Sequence, residues 1–441
     1  MKERLDKMEI YRRFLLPCTS LCDYYKEVMR VIQYIGVLLF FFLVSCEKND
    51  VEPQKTRTLM VYLAGDNNLS GHMQKNISSM MSAWKKSYNA NIVIYFDAPN
   101  AAPELYTFRF KGKEVEKQVL KTYEEMDSAD PEVLKKILNE MQDLYPSDSY
   151  GLILGSHASG WIPSGASGRS NRMLHAEPVL TRSFGTDYTG SNEMDTRDMA
   201  KAIPFNKENL EFILFDACLM SSIEVLYDLR EKAKYVIASP AELPAPGFPY
   251  ARVMPYFWGK GKDLEKDLVK VCDEFWDYYN TYNAANRFGT IALIKMDGME
   301  HLFDLTREIL KGKKEVVANW REDDVWCYPK VEYKKHYMFF DLGEYIKHVT
   351  GEKGLYEEYR DFLDNEVVIY KKATNPFYYT EIPDKTFSGI ATYIPLNIWT
   401  TETYAYWNFP WAGVYGDGIS NVSLISSLNH QVKESALKKS F

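Results

Sequence analysis

Two short segments carry residue types suited to covalent chemistry. In "FILFDACLMSS", residues 212–222, an apolar run halts at Asp216, Ala217 and Cys218, and in "YGLILGSHASGW", residues 150–161, another halts at a turn holding His157. A thiolate is a strong nucleophile and an imidazole can take its proton, so a cysteine and a histidine brought together can attack a carbonyl. The helical spacing of "SSIEVLYDLREKA" after Cys218 predicts a helix N-terminus beside the sulfur, which together with an imidazolium would lower the thiol pKa. Each residue alone also fits a blander role, the cysteine as a small buried side chain and the histidine as a solvated turn residue.

The elements that must position them read as alternating strands and helices. Short, nearly uniform apolar runs at "RTLMVYLAGDNNL", "NIVIYFD", "ELYTFRF", Tyr150–Leu154, "LEFILFD" and "AKYVIASPAEL" predict buried strands. Asp130-Pro131 followed by Val133, Leu134, Ile137, Leu138 and Met141 predicts a helix with aspartate as N-cap and proline in its first turn. Such alternation predicts an α/β protein whose largely parallel sheet is covered by helices on both faces. Sites in such sheets form at the carboxyl ends of the strands, which puts His157 and Cys218 on one edge. From about Pro249 the pattern turns helical and aromatic, with possible strands at "TIALIKM" and "TFSGIATYIP".

The expected organisation is a leader at 1–46, a polar tether at 47–57, a core at 58–260 and a mostly helical region at 261–441. That last region returns a late strand, 386–395, to the core. The 441 residues, 46% hydrophobic, suffice for a large core, and the net charge of −8 with mixed signs lacks the basic footprint of nucleic-acid binding. No Gly-x-Ser-x-Gly follows a strand, which argues against a serine hydrolase. The seven histidines, His72, His157, His175, His301, His336, His348 and His430, form no pair at ligand spacing, so no metal ligands are assigned. "GDNNLSGH", residues 65–72, lacks the full ligand pattern of a calcium loop and reads as a sharp turn at a strand end near the substrate.

Within the leader, Tyr34 to Val44 is unbroken and apolar, the length of a signal-peptide core and too short to span a bilayer comfortably. It ends in Leu43-Val44-Ser45-Cys46, which resembles the lipobox of bacterial lipoproteins and implies a lipidated Cys46. The expectation is therefore an exported bacterial lipoprotein, anchored to a membrane and facing periplasm or cell surface, with Met29 as the true start. An ordinary cleaved signal peptide or a short N-terminal membrane anchor is the alternative. Of the remaining cysteines, Cys218, Cys272 and Cys327, an odd number leaves at least one thiol free in a monomer, and Cys272 and Cys327 either pair or simply pack.

"FILFDACLMSSIEVLYDLR" resembles the nucleophile motif of the clostripain family of cysteine peptidases, which share the caspase-like fold. "RTLMVYLAGDNNL", "YGLILGSHASGW", "ASPAELPAPGFPY" and "FSGIATYIP" resemble its other blocks in the same order, over roughly residues 57–400. The resemblance implies Cys218 as nucleophile, His157 as its partner and Asp216 in the pocket for the residue before the scissile bond (P1). A carboxylate there selects Arg or Lys. It further implies oxyanion donors from backbone near Cys218 and after His157, and self-cleavage between histidine and cysteine after Arg169, Arg172 or Arg182. Some relatives need calcium; no other cofactor is implied. The expected partners are protein or peptide substrates with a basic P1 residue and, through the anchor, a membrane; the chain is expected to be a monomer.

Two alternatives accompany this reading. Asp216 also suits a cap on the following helix. The family usually has glycine where this chain has Ala158, and if that position needs positive φ the alanine is costly and misplaces the oxyanion donor, reducing or abolishing peptidase activity and leaving a surface lipoprotein that binds peptide or glycan.

Overall fold

The computed structural model of the chain describes residues 57–416, apart from 165–182, 191–192, 260–261, 284–286, 329–331, 334–335, 352, 378–379, 384 and 396–404; outside that range it describes Met29 alone. The chain divides into two compact units, Met1–Lys55 and Thr56–Phe441, and the elements that follow lie in the second. Among the described residues no helix is long and apolar enough to cross a membrane.

Eight strands appear in sequence order: β1 (Arg57–Ala64), β2 (Asn91–Ala98), β3 (Ala101–Lys111), β4 (Glu114–Thr122), β5 (Ser149–Gly155), β6 (Leu210–Asp216), β7 (Tyr235–Ala238) and β8 (Thr290–Lys295). A ninth, Val368–Ala373, closes one edge, and the spatial order is Val368–Ala373, β8, β7, β6, β5, β1, β2, β3, β4. The five central strands β2, β1, β5, β6 and β7 are parallel, whereas β3, β4, β8 and the ninth join antiparallel at the edges. Uniformly apolar strands are what a sheet covered on both faces demands, because neighbouring residues point to opposite sides. In β1, Met60, Tyr62 and Ala64 enter one core, and Leu59, Val61 and Leu63 enter the other. Helix Pro131–Leu144 packs into the first core through Leu134, Ile137, Leu138 and Met141; helices Ser70–Ala83 and Lys262–Asn280 serve the second.

The expected boundary at residue 260 does not divide the sheet. β8 is apolar and buried through Thr290–Ile294, pairs with β7 and in turn carries the ninth strand, so the C-terminal region completes the core. The late strand expected at 386–395 shortens to Ala391–Thr392, which pairs antiparallel with Phe340–Asp341 outside the nine-stranded sheet. Ala391 also forms a parallel bridge with Ser222, and Ser221 donates its hydroxyl to Gly389 O at 2.7 Å, so this segment braces the turn after Cys218. β4 escaped the sequence reading because its residues are mostly exposed on both faces, which leaves no apolar alternation to find.

The start of helix Pro131–Leu144 is as its sequence signals: the Asp130 side chain accepts from Glu132 N at 2.8 Å, and proline occupies the first turn. Asp130→Ala removes that acceptor and should destabilise the fold by about 1 kcal/mol. Urea unfolding with an unchanged slope and a lowered midpoint is the expected readout.

Candidate active site

β5 and β6 are adjacent and parallel, and their last pair is Gly155 with Asp216. His157 and Cys218 therefore each lie two residues beyond the same rung, on the carboxyl edge of the sheet. The turns that carry them touch: a Cβ added to Gly160 would come within 2.7 Å of Leu219 O. Gly160 has φ +60, where a side chain is strained in any case, so both its conformation and its neighbour require glycine.

Behind the histidine, Ser156 Oγ donates to Ala64 O at 2.8 Å. Ser159 N donates to Ser183 O at 2.9 Å and Gly185 N donates to His157 O at 3.0 Å, so Ala158 and Phe184 form an antiparallel bridge. Residues 157 and 159 use that side of the strand, and the N–H of Ala158 points the other way. Among the described residues neither this N–H nor that of Cys218 donates a hydrogen bond. Ala158 is not among the residues with positive φ; the left-handed position falls two residues later, at Gly160. The alanine is thus compatible with the turn, and the backbone cost expected of it does not arise.

The helix expected directly after Cys218 begins only at Ile223, with Ser222 as its N-cap, and spans Ile223–Asp228. Cys218 lies instead in a turn whose next residue, Leu219, has φ +64. A bulky residue there is strained by about 1–3 kcal/mol and persists because its surroundings hold it. Leu219 is 2% exposed, its N–H donates to Ala241 O at 3.0 Å, and Ser221 N donates to Ser239 O at 2.9 Å. Leu243 N donates to Cys218 Sγ at 3.3 Å. Residues 239–250 therefore form one wall beside the sulfur.

The electrostatics differ from the sequence expectation. Burial pushes the Cys218 thiol up to about 12, the nearby Glu242 charge adds to this, and the Leu243 N–H opposes it. Burial likewise pulls His157 down to about 4. With the helix dipole also absent at Cys218, the resting pair is a thiol beside a neutral imidazole.

Asn68 was missed from sequence. It sits in the turn after β1, and its Oδ1 lies 2.6 Å from His157 Nε2. That contact assigns the ring proton to Nε2 and leaves Nδ1 as the basic nitrogen. The only signal for it was position: "GDNN" ends the strand adjacent to β5.

Asp216 is half-buried and does not cap the following helix. Its carboxylate accepts from Tyr250 Oη at 2.9 Å and Phe248 N at 3.5 Å. Gly247, at φ +69, lies so close that an added Cβ would fall 2.5 Å from both carboxylate oxygens. Burial raises Asp216 to about 6, while the Tyr250 and Phe248 donors act in the opposite direction. Cys272 and Cys327 are not joined in a disulfide. Cys46, Arg169, Arg172 and Arg182 lie outside the described residues. One group of oxygen ligands was not anticipated: Asp66, Glu125 and Asp187 each place a carboxylate oxygen within 4.8 Å of the others.

Residues 61–411 match the model of the clostripain family, peptidase C11. The chain belongs to the clostripain family. It is 29% identical to clostripain of Hathewaya histolytica over 254 residues, which are 51% of this chain and 47% of that one; the match spans about half the length of that curated relative. It is similar to a secreted C11 cysteine protease of Bacteroides thetaiotaomicron solved with an irreversible peptide inhibitor, at 26% identity and TM-score 0.68, covering 82% of this chain and 99% of the other. A third relative is an inactive zymogen C11 protease of Parabacteroides distasonis, 29% identical with TM-score 0.68, covering 83% and 99%. The caspase-like architecture expected from the motifs is therefore the fold of this clostripain-family chain.

The Tyr250 hydroxyl holds the Asp216 pKa down, so Tyr250→Phe should move that titration upward from about 6. Carbon chemical shifts of the aspartate carboxyl followed against pH check the sign, and an unmoved midpoint would show the hydroxyl to be irrelevant.

Proposed function

We propose that the chain is a cysteine endopeptidase that cleaves after Arg or Lys, with Cys218 as nucleophile and His157 as its acid and base. The observation that carries the reading is the shared rung Gly155–Asp216, which sets the thiol and the imidazole at equivalent positions beyond adjacent strands. Family membership and the two solved relatives, both proteases, support it.

In this reading the substrate's basic P1 side chain meets the Asp216 carboxylate in a charge-assisted hydrogen bond. Cys218 Sγ attacks the P1 carbonyl carbon as its proton passes to the free nitrogen of His157. Because thiol and imidazole start neutral, proton transfer accompanies attack rather than preceding it. The free N–H groups of Ala158 and Cys218 then donate to the oxyanion. As the tetrahedral intermediate collapses, the C–N bond breaks, the imidazolium gives its proton to the departing amine, and a thioester remains. Water, deprotonated by His157, attacks the thioester; the acid leaves and the thiol recovers its proton. Asn68 keeps the imidazole turned for both steps.

Two further parts of the proposal concern maturation. The segment 165–182 joins the histidine turn to the cysteine half, and a cut after Arg169, Arg172 or Arg182 would activate the enzyme, as the zymogen character of the Parabacteroides relative supports. Export through the leader and lipidation at Cys46 would place the enzyme on a membrane as a monomer. The secreted Bacteroides relative supports export.

Hydrolysis of fluorogenic peptides with Arg, Lys, Ala or Asp at P1, by residues 47–441 and by Cys218→Ala, tests the activity. Cleavage confined to Arg and Lys and lost by at least about 1,000-fold in the variant is expected. Cleavage that survives in Cys218→Ala, or silence from folded wild-type protein whether cut or intact, overturns the reading. For the anchor, full-length protein should move from the membrane fraction to the soluble fraction on Cys46→Ala, and unchanged partitioning would remove lipidation from the account.

A further inference from the structure

Residues 389–393 run beside the turn that follows Cys218 and are fastened to it at every second position. Ser221 Oγ donates to Gly389 O at 2.7 Å, Ala391 N donates to Ser221 O at 2.9 Å, and Tyr393 N donates to Glu224 Oε1 at 2.9 Å. Thr392 Oγ1 donates to the same carboxylate oxygen at 3.3 Å. The C-terminal region ties down the same segment from the other side. Arg360 donates to Thr386 O and Phe387 O at 2.7 and 2.9 Å, Ser388 donates through N and Oγ to Asp341 Oδ2 at 2.8 and 2.9 Å, and Leu342 N donates to Ile390 O at 3.0 Å. The segment is a strap between the C-terminal half and the turn that presents Cys218. Of the hydrogen bonds it makes to residues 221–224, only those to Glu224 involve a group whose charge can change.

Glu224 is fully buried, and its second oxygen, Oε2, has no hydrogen-bond partner. Among the described residues no Lys, Arg or His forms an ion pair with it. The groups that face it are Asp228 on its own helix, whose carboxylate has Arg197 Nε at 3.9 Å, Thr392 and Tyr393 on the strap, and Tyr406 and Tyr415 further along the chain. Tyr345, on helix Leu342–Thr350, stands beside those two tyrosines. An ionised carboxylate in this setting is desolvated without a balancing charge. A neutral acid keeps Oε1 as the acceptor of both strap hydrogen bonds and makes Oε2 a donor for a tyrosine hydroxyl. Burial raises Glu224 to about 8, with the Tyr393 and Thr392 donors opposing and Asp228 adding.

We propose that Glu224 is a positioning residue of the peptidase: as a neutral acid it fastens the strap to the nucleophile turn, and its ionisation loosens that joint. The effect on catalysis rests on the reading of Cys218 as nucleophile, but the joint itself does not. Glu224 acts at a short remove, since the strap holds Ser221, two residues beyond the strained Leu219 that mounts the sulfur. Because the fold favours the protonated form, the stability this residue contributes is complete below its ordinary value of 4.5. It is lost as pH rises to about 8.

The test compares the full-length chain with Glu224→Gln and Glu224→Leu. Glutamine keeps the acceptor oxygen and supplies a neutral donor beside it, whereas leucine removes both. The glutamine variant should hold kcat within about twofold and keep the Tyr393 amide protected from hydrogen exchange. In the leucine variant kcat should fall at least about tenfold at nearly unchanged KM, and the Tyr393 amide should exchange at least about tenfold faster. The Tm of the glutamine variant should gain about 2 °C or more on that of the wild type between pH 5 and pH 8, the other titrating groups being common to both chains. Glutamine as damaging as leucine, full activity in the leucine variant, or a Tm difference that ignores pH overturns the proposal. If the leucine variant does not fold, the kcat of the glutamine variant and its pH-dependent Tm difference decide. A wild-type chain that cleaves no peptide sinks the catalytic reading alone, because exchange and Tm are read without substrate and still decide the joint.

Discussion

The pairing of β5 with β6 is the constraint on which the rest depends. Both strands are buried on both faces, so a slip of one residue would send every side chain to the opposite core, and the register is fixed by the packing of two layers at once. Gly151 shows how tight that fit is: a Cβ there would strike the Phe212 ring at 2.3 Å. Once the strands are locked, the Gly155–Asp216 rung sets where each chain leaves the sheet. The positions of His157, Cys218 and Asp216 follow from core packing rather than from contacts among themselves.

Burial then decides the chemistry available at that edge. A site open to water would leave imidazole and thiol near their ordinary pKa values; here desolvation drives them apart, toward about 4 and about 12. The proton remains on sulfur at rest. A thiol in this state resists adventitious oxidation better than a thiolate does. The strained Leu219 backbone has the same logic, since a conformation held against its preference by the Ala241 and Ser239 carbonyls is a rigid mount for the sulfur.

The sequence was legible wherever one local pattern determined the outcome. Uniform apolar runs announced the central strands, and Asp130-Pro131 announced a helix start, because burial on two faces and capping are both decided within a few residues. The motif blocks pointed to the clostripain family. What local pattern did not carry was partnership at a distance. The helix inferred beside Cys218 starts only at Ile223 because Ser221 and Ser222 are engaged by Gly389 and Ala391, some 170 residues away in sequence. Asn68 and His157, like the carboxylates of Asp66, Glu125 and Asp187, come from distant parts of the sequence with no shared spacing, so only the folded sheet brings them together. β4 left no trace because an exposed edge strand need not be apolar.

The segment between Ser164 and Ser183 connects the histidine turn to the element that leads into β6. A single cut there would divide the chain into a fragment carrying β1 to β5 and another carrying β6 onward. The seam between them would be the β5–β6 ladder, in the middle of the sheet and covered on both faces. The fragments would therefore remain a tightly held two-chain assembly, with the imidazole on one chain and the thiol on the other. Neither half would hold both side chains, so any chemistry that needs the two together would be lost on separating the fragments rather than released with one of them.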